Sequence, residues 1–222
     1  MCVLKIRLYQ ETVSYTKPFA FKVGETYPLP PYSTVLGLLH RVLEAKEYHE
    51  MAISIQGKYE SKFQDYRTTY FYKKKDVTTM PINVHYLYNV ELIIHVDANK
   101  EILEMLYKKL QSPHEFYSLG RREDLVQIRD IKWVELRETD ELITAANDMY
   151  IPVQMVDDEV HPHFQQVKYR LNTRYHLIGE QRVWDRIDAW YVSEGTFLDI
   201  EGCVIDEDSD VVFFHLVSNP AS

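Results

Sequence analysis

Residues 19–39 read FAFKVGETYPLPPYSTVLGLL and mark where the first helix of the chain begins. The adjacent prolines, Pro30 and Pro31, prevent a helix from starting earlier. We therefore predict a helix that begins near Ser33, with Ser33 or Thr34 capping its free N–H groups. Apolar residues then recur with helical spacing and predict one buried stripe: Val35, Leu38, Leu39, Val42 and Leu43.

A glycine, Gly37, lies inside this predicted helix. Glycine in a helix interior costs about 1 kcal/mol relative to alanine, so its presence asks for a structural reason. We expect this turn of the helix to approach a strand or another chain closely.

The same segment has the composition of a site for single-stranded nucleic acid. A helix N-terminus offers backbone N–H groups and a positive dipole end to a phosphate, and here those amides belong to Ser33 and Thr34. Basic and aromatic residues that suit phosphates and bases lie nearby in the sequence: Lys17, Lys22, Phe19, Phe21, Tyr27 and Tyr32. The alternative is that the aromatic rings pack the loop against the core, and we favour it for Phe19 or Phe21 taken alone.

Hydrophobic periodicity on both sides of this segment predicts an α+β fold. The predicted elements are strands at about 2–9, 52–72, 82–97 and 125–135, and helices from about 33 and at about 99–111. This β-α-β-β-α-β order is that of a ferredoxin-like or RRM-like domain, in which both helices pack on one face of an antiparallel sheet. We assign that domain to residues 1–137.

The stretch from about residue 56 to residue 89 is long for a simple hairpin and rich in tyrosine. We interpret it as a projecting thumb hairpin within the first domain. Aromatic and basic residues stand near its predicted turn and would contact RNA: Tyr72, Lys73, Lys74 and Lys75.

Residues 138–222 form a β-rich C-terminal region in this interpretation, a smaller unit packed on the first domain. Strands are expected at 167–177, 181–192 and 211–217. The sequence EDSD at 207–210 separates two apolar runs and predicts a hairpin turn.

The charge of the chain is divided unevenly. The net charge is −9, which taken as an average disfavours nucleic acid. Residues 1–122 carry 17 Lys and Arg against 13 Asp and Glu, a balance of +4, whereas residues 123–222 carry 8 against 21, a balance of −13. The division predicts a basic working face and an acidic remainder that meets protein partners or solvent. Alternatively, the acidic residues only solvate the second half.

The composition also restricts the location of the protein. No apolar run approaches the roughly 20 residues of a membrane span, and the alternating, charged N-terminus is unlike a signal peptide. The two cysteines, Cys2 and Cys203, make neither a disulfide framework nor a zinc site. We expect a cytoplasmic protein with reduced thiols, no cofactor and no metal.

Catalytic motifs are absent from the sequence, which has no G-x-S-x-G, P-loop, H-E-x-x-H or C-x-x-C. An acid–imidazole cluster suits a metal, although an exposed acidic loop is the better explanation: Asp157, Asp158, Glu159, His161 and His163. His40, Tyr48 and His49 lie on or near the first helix and have the chemistry of a general acid–base pair for RNA cleavage. His40 and Tyr48 are eight residues apart and would share a helix face, but surface residues often have this spacing.

The turn Gly120-Arg121-Arg122 has two interpretations. Glycine lets a backbone approach a phosphate closely, and adjacent arginines suit bidentate phosphate contacts. Alternatively, the arginines pair with Glu123 and Asp124. The residues alone leave both interpretations open.

Two blocks of this sequence resemble the Cas-five family of CRISPR-associated proteins. The first resembles the family's block G-E-T-Y-P-x-P-P-x-S-T-x-x-G-x-L, which opens its first helix. The matching residues are Gly24, Glu25, Thr26, Tyr27, Pro28, Pro30, Pro31, Ser33, Thr34, Gly37 and Leu39. The second, Leu119 to Glu123, resembles the family's S-L-G-R-R-E loop. The resemblance covers about residues 3–135, and residues 175–195 look like the subfamily of type I-B systems.

The resemblance implies a RAMP-superfamily protein that binds the 5′ handle of CRISPR RNA inside a type I surveillance complex, Cascade, in antiviral defence. It implies contacts with the backbone subunit and the large subunit, an indirect relation to target DNA, and a thumb that folds over the guide. A type I-C branch of the family cuts precursor RNA with a Tyr and a Lys-His pair. This chain has no Lys-His dipeptide, so a separate nuclease is implied.

Three functions remain as hypotheses. The favoured one is a non-catalytic RNA-binding subunit, and the others are a metal-independent endoribonuclease and a protein-interaction module without RNA. Steep salt dependence of RNA binding would separate the first from the third, since phosphate contacts release counterions.

Overall fold

The computed structural model describes residues 1–18, 23–74, 76–139, 141–156, 167–198, 200 and 202–217. The elements of the first half are β1 Cys2–Val13, β2 Val23–Gly24, α1 Tyr32–Leu43, β3 Met51–Tyr72, β4 Val77–Ala98, α2 Lys100–Gln111 and β5 Gln127–Glu135. Those of the second half are β6 Arg137–Thr139, β7 Ile143–Thr144, β8 Asp148–Pro152, a 3₁₀ turn Val153–Met155, β9 Val167–Ile178, β10 Gln181–Val192, β11 Phe197–Leu198, β12 Cys203–Ile205 and β13 His215–Val217.

Nine strands of the described part of the chain form one sheet. Its order is β5-β1-β4-β3-β8-β10-β9, with β13 also paired to β3 and β2 to β4. All its described strand pairs are antiparallel except β2–β4. The predicted α+β class, a mostly antiparallel sheet with two helices, is confirmed.

The second half of the chain extends this sheet. Strands β8, β9 and β10 continue it beyond β3, whereas we predicted a unit packed on the first domain. A smaller apolar cluster is nevertheless present in this half, beside the two-stranded sheets β7–β11 and β6–β12. Its buried members include Met149, Ile151, Val192, Cys203 and Phe213. The strands on the two sides of residue 137 therefore share one sheet.

The main core lies between the helices and one face of the sheet. Alternate residues of β1, Leu4, Ile6 and Leu8, are buried there, as their period of two predicts. The predicted stripe of α1 is also buried against this face. Helix α2 begins after Asn99, whose side chain accepts a hydrogen bond from the N–H of Glu101 at 3.0 Å.

A segment from the second half covers the opposite face of the sheet. The Gln56 side chain donates to the Val211 carbonyl at 2.9 Å, and the Phe213 N–H donates to Ser54 at 3.1 Å. The predicted turn at 207–210 is present, but the predicted strand at 211–217 is shorter. Only His215–Val217 is a strand, and it pairs with β3. A local hairpin is also present, because Ile205 bridges Val211 and the Val212 N–H donates to the Val204 carbonyl at 2.8 Å.

Strands β3 and β4 form one long hairpin. Their pairing runs without a register shift from Met51–Ala98 to Tyr72–Val77. We call its outer part, residues 58–72 and 77–86, the arm, because β3 is largely exposed from Lys58 onward. The turn is shorter than the predicted loop, since β4 already begins at Val77.

A glycine at the base of the arm allows β3 and β4 to lie close together. A Cβ added to Gly57 would lie 2.3 Å from the carbonyl oxygen of Glu91 and 2.8 Å from a methyl group of Leu92. Such distances are sterically forbidden, so any side chain here would force β3 and β4 apart.

Candidate nucleic-acid interface

A groove of about 1060 Å³ opens between the arm and the β9–β10 hairpin, and we call it the main groove. Residues of the arm, of the hairpin and of the segments around Lys17 and Arg121 line it. Its basic residues are Lys17, Arg67, Arg121, Arg182 and Arg186. None of the described lining residues is acidic. A groove lined by one sign of charge raises the local concentration of oppositely charged groups such as phosphates.

Aromatic rings open onto the same groove. Tyr70 and Tyr72 reach it from the arm with 56% and 81% of their surface exposed. Trp184 lines it from strand β10 and is half-buried. Exposed rings beside cations have the chemistry that holds unpaired bases and their phosphates.

Arg121 is held in a fixed position. Its backbone N–H and its Nε donate to Asp124 Oδ2 at 2.9 and 3.0 Å, while its Nη1 donates to the Tyr86 hydroxyl at 3.1 Å. Burial opposes the charge, but the hydrogen bonds to Asp124 and Tyr86 outweigh it and raise the pKa of Arg121. Arg121 thus pairs with Asp124, as one of the two interpretations predicts, and it also lines the main groove. Its contact with phosphate stays a prediction.

Gly120 makes this clamp sterically feasible. Its φ is 112°, and an added Cβ would lie 2.9 Å from Asp124 Oδ2 and 3.2 Å from Val13. The glycine is therefore required by contacts within the chain, whereas we predicted an approach to phosphate. Arg122 is exposed and, among the residues described, has no ion-pair partner.

Lys17 lines the main groove. Its Nζ is 3.1 Å from Glu25 and 5.3 Å from the centroid of the Tyr169 ring. The hydrogen bond from Lys17 lowers the pKa of Glu25, so this carboxylate stays charged. Tyr27 is buried with its ring edge-on to Tyr169, which fits the alternative that it packs the loop.

The predicted phosphate site at the start of α1 is not formed. The helix begins at Tyr32 with Pro31 as its N-cap and no side-chain cap, so Ser33 and Thr34 lie inside it. The Thr34 N–H donates to the Pro31 carbonyl at 2.9 Å. Residues 27–32 are buried, in part because the Tyr150 hydroxyl donates to the Leu29 carbonyl at 2.9 Å.

Tyr32 is also not available to a base. It is fully buried, with its ring 4.9 Å from that of His215 in an edge-on contact. Burial raises the pKa of Tyr32. This contradicts the predicted stacking role.

His40, Tyr48 and His49 are brought together, but not on a shared helix face, because α1 ends at Leu43. The ring of His40 stacks on Tyr48 and on His49 at 5.3 and 5.8 Å. Both its nitrogens are used: Nδ1 lies 2.9 Å from the Leu36 carbonyl, and Nε2 accepts from the His49 N–H at 3.0 Å. Burial lowers the pKa of His40 and raises that of Tyr48 to about 12, and the Tyr48 hydroxyl donates to the Val217 carbonyl. These contacts are structural.

Two other predicted groups are placed only in part. Lys73 and Lys74 are exposed at the end of the arm. The predicted contacts of four other residues lie outside the described residues: Phe19, Phe21, Lys22 and Lys75. So does the acid–imidazole cluster: Asp157, Asp158, Glu159, His161 and His163.

The sequence analysis did not assign the second wall of the main groove. Arg182, Trp184 and Arg186 occupy alternate positions of β10 and line it together. Their period of two was readable in the sequence, and it places them on one face of a strand. The acidic average of the second half concealed them.

Some acidic residues of the second half form ion pairs with a lysine of the first half. We call residues 206–210 the acidic turn. The Nζ of Lys5, whose side chain is 0% exposed, contacts Asp206, Asp208 and Asp210 at 2.5, 2.7 and 2.5 Å. The carboxylate oxygens of these three residues lie within 4.8 Å of one another, so the lysine ammonium occupies the position that a cation would take. His95 also contacts Asp206 at 2.9 Å.

The comparisons with known proteins place the chain among CRISPR-associated proteins. The family model described as CRISPR-associated protein (Cas_Cas5) matches residues 3–192. No curated protein matches the chain in sequence. Because the family model covers most of its length, the chain belongs to the Cas_Cas5 family, the Cas-five family whose blocks its sequence resembles.

Two solved structures share the fold. A chain of a "CRISPR RNA-guided surveillance complex" superposes with a TM-score of 0.58 at 14% identity, over 90% of this chain and 92% of that one. A CRISPR protein from Archaeoglobus fulgidus superposes with a TM-score of 0.52 at 12% identity, over 98% and 100%. Neither helix of the described part of the chain is long and apolar enough to cross a membrane.

Proposed function

We propose that this protein is a non-catalytic subunit of a type I CRISPR surveillance complex, Cascade, and binds the 5′ handle of CRISPR RNA in the main groove. The observation that carries the proposal is the groove itself: cations from four separate parts of the chain, and three aromatic rings, open onto it. Membership of the Cas-five family and the similarity to a chain of an RNA-guided surveillance complex support it.

The groove assigns a role to each kind of residue. Lys17, Arg67, Arg182 and Arg186 contact phosphates, and Tyr70, Tyr72 and Trp184 stack on bases. The arm is the thumb of a ferredoxin-like domain of residues 1–137, a proposal that the sheet order β5-β1-β4-β3 supports. Lys73 and Lys74 extend the basic surface at the end of the arm, and Lys75 follows them in the sequence.

Protein partners contact the surfaces away from the groove. In this proposal the backbone subunit and the large subunit bind the chain in the cytoplasm, and target DNA is met only through them. The type I-B subtype rests on residues 175–195, which include Arg182, Trp184 and Arg186. Antiviral defence is the function of the whole complex.

The main test removes two groove cations. Arg182→Ala with Arg186→Ala should lower the affinity for a single-stranded handle RNA about tenfold, because two phosphate contacts are lost. The slope of log affinity against log salt should become shallower by about 1.4, or about 0.7 per phosphate. Fluorescence anisotropy over a salt series measures both.

The matched control makes the same change in charge elsewhere. Lys100→Ala with Lys108→Ala removes two exposed lysines of α2, which lie outside the groove. Equal losses of affinity in the two double variants would contradict the groove as the RNA site. A scrambled RNA of equal length tests handle specificity.

A metal-independent endoribonuclease is the second candidate, and the stacking of His40, Tyr48 and His49 is the observation that favours it. Two of these groups are already engaged with the backbone, which opposes cleavage: both ring nitrogens of His40 and the Tyr48 hydroxyl make hydrogen bonds. Incubation with precursor CRISPR RNA in a chelator should give no cleavage. Cleavage that His40→Ala abolishes would reverse the assignment.

A further inference from the structure

A second groove lies beside the β9–β10 hairpin and adjoins the main groove at Trp184. Its volume is about 500 Å³, within the range of roughly 300–1,000 Å³ of sites for small ligands. Helix α1, the loop after it and the hairpin line it with Ser33, Gly37, Lys46, Arg174, Tyr175 and Trp184.

Gly37 opens this groove. A Cβ added to it would meet nothing within 4 Å, so neither a strand nor another part of the described chain approaches this turn. Our prediction of a close approach within the chain is therefore wrong. The glycine leaves α1 without a side chain where the helix faces the groove, and this space is large enough for a flat ligand to lie against the helix backbone.

The opposite wall carries aromatic rings and a cation. Tyr175 and Trp184 pack edge-on with centroids 5.3 Å apart, and Tyr175 is 43% exposed. The Arg174 guanidinium lies 5.3 Å from the centroid of the Tyr48 ring and 3.3 Å from Asp185.

A second cation, Lys46, is exposed at the groove and has no ion-pair partner among the described residues. Glu47 is the acidic residue of the described lining. Rings and cations together suit a base and its phosphate.

The two grooves are continuous at one side chain. Trp184 lines both of them. In addition, the guanidinium of Arg182, a main-groove residue, lies 4.7 Å from the centroid of the Tyr175 ring, a second-groove residue. A strand that leaves the main groove past Trp184 therefore meets the second groove next.

We propose that the second groove binds one or two unpaired nucleotides of the RNA that occupies the main groove. A base stacks on Tyr175 or Trp184 against the open backbone at Gly37, and its phosphate contacts Lys46. The inference rests on the proposed function, because the RNA reaches this groove from the first. His40 and Tyr48 shape its end through their contacts with the backbone.

The experiment measures how the affinity for RNA depends on RNA length. Affinities of the full chain are measured for single-stranded RNAs of about 4 to about 12 nucleotides, the span of site sizes of small single-strand-binding folds. Wild type should show a step in affinity of about tenfold when the RNA becomes long enough to reach the second groove. Gly37→Phe should remove the step, because its ring fills the groove, and should leave the affinity for the shortest RNAs unchanged.

Gly37→Ala is the matched control. It places only a methyl group in open space and favours the helix, so the step should remain and the melting temperature should rise. A step that persists in Gly37→Phe, or a wild-type affinity that does not depend on length, would overturn the inference and leave the main groove intact. A lack of RNA binding at every length would contradict the proposed function instead.

A second measurement does not depend on the folding of a variant. Ultraviolet crosslinking of wild type to the longer RNAs, followed by peptide mapping, should give crosslinks at Tyr175. The shortest RNAs should give none there. Crosslinks from the long RNAs that fall only on the arm and on β10 residues of the main groove would overturn the inference.

Discussion

Basic side chains lie both on the sheet face under the acidic turn and in the main groove. They differ in how much of their surface is exposed. Lys5 is enclosed by three carboxylates and is 0% exposed in its side chain. Arg182 and Arg186 are exposed at the main groove, where no described lining residue is acidic. The difference shows that a count of lysines and arginines does not locate a phosphate site. What differs between the two regions is burial, because Lys5 is enclosed by carboxylates whereas Arg182 and Arg186 keep exposed surface.

The comparison also concerns the position of the proposed nucleic-acid site. RRM domains bind bases on the open face of their sheet. Here the corresponding face carries Lys5 and His95 and is covered by the acidic turn. The exposed rings of the arm and the half-buried ring of Trp184 line the main groove instead, so the proposed site lies away from this sheet face.

The largest expected effect is on the free energy of unfolding, which should differ between substitutions in the two regions. Lys5→Met leaves Asp206 and Asp210 buried without their main cation and should lower the free energy of unfolding by about 3–5 kcal/mol. Arg182→Met, at the exposed groove, should change it by about 0.5 kcal/mol or less. Urea unfolding of the two variants measures this. Similar losses would remove the distinction between the regions.

The second prediction concerns acid. Burial raises the pKa of Asp206, but hydrogen bonds from His95 and Lys5 outweigh it and hold that pKa well below its usual value. Hydrogen bonds from Lys132 and Lys5 lower the pKa of Asp208 to about 2 from 3.8. The unfolded chain therefore binds these protons more readily, so stability is full above about pH 4 and falls as the pH drops toward about 2.

Thermal unfolding over this pH range checks the acid prediction. Asp208→Asn should make the fall less steep, because it removes one of the carboxylates with a lowered pKa. Asp76→Asn, at the end of the arm, is the control and should keep the wild-type profile. A profile that Asp208→Asn leaves unchanged would show that the acidic turn does not cause the acid sensitivity.

The smallest expected effect is that of a substitution that makes the main groove more basic. Glu123 lies 2.9 Å from Arg67 and 3.4 Å from Arg121, both of which line the main groove. Glu123→Gln should raise RNA affinity about two- to fivefold and change stability by about 0.5 kcal/mol or less. Glu115→Gln breaks the exposed pair with Arg41 outside the groove and should leave affinity unchanged. A fall in affinity for Glu123→Gln would count against direct phosphate contacts by Arg67.

Local signals predicted most of the first half of the fold. The stripe of α1 and the alternation of β1 each reflect a single buried face, so their periods were readable in the sequence. The start of α1, predicted near Ser33, lies at Tyr32, but the predicted side-chain cap is absent from this helix, because capping rules describe exposed helix ends. Tyr150, from the second half, helps to bury this one through its hydrogen bond to Leu29.

The candidate site depends on contacts that no local pattern contains. Lys5 and Asp206 are 201 residues apart, so no local sequence pattern could predict that this face of the sheet is neutralised. The arm and β10 come together only because β8 joins β3 to β10 in one sheet. The sequence could therefore identify Lys17 and the arm, but it could not pair them with Arg182 and Arg186.

The pairing of β13 with β3 has a consequence for synthesis of the protein. Residues 51–53 of β3 pair with residues 215–217 of β13. The backbone groups on this edge of β3 therefore stay unpaired until residue 217 has left the ribosome. An unpaired edge is a template for intermolecular association. Nascent chains that stall before this point should therefore be captured by chaperones or aggregate, whereas completed chains close the edge themselves.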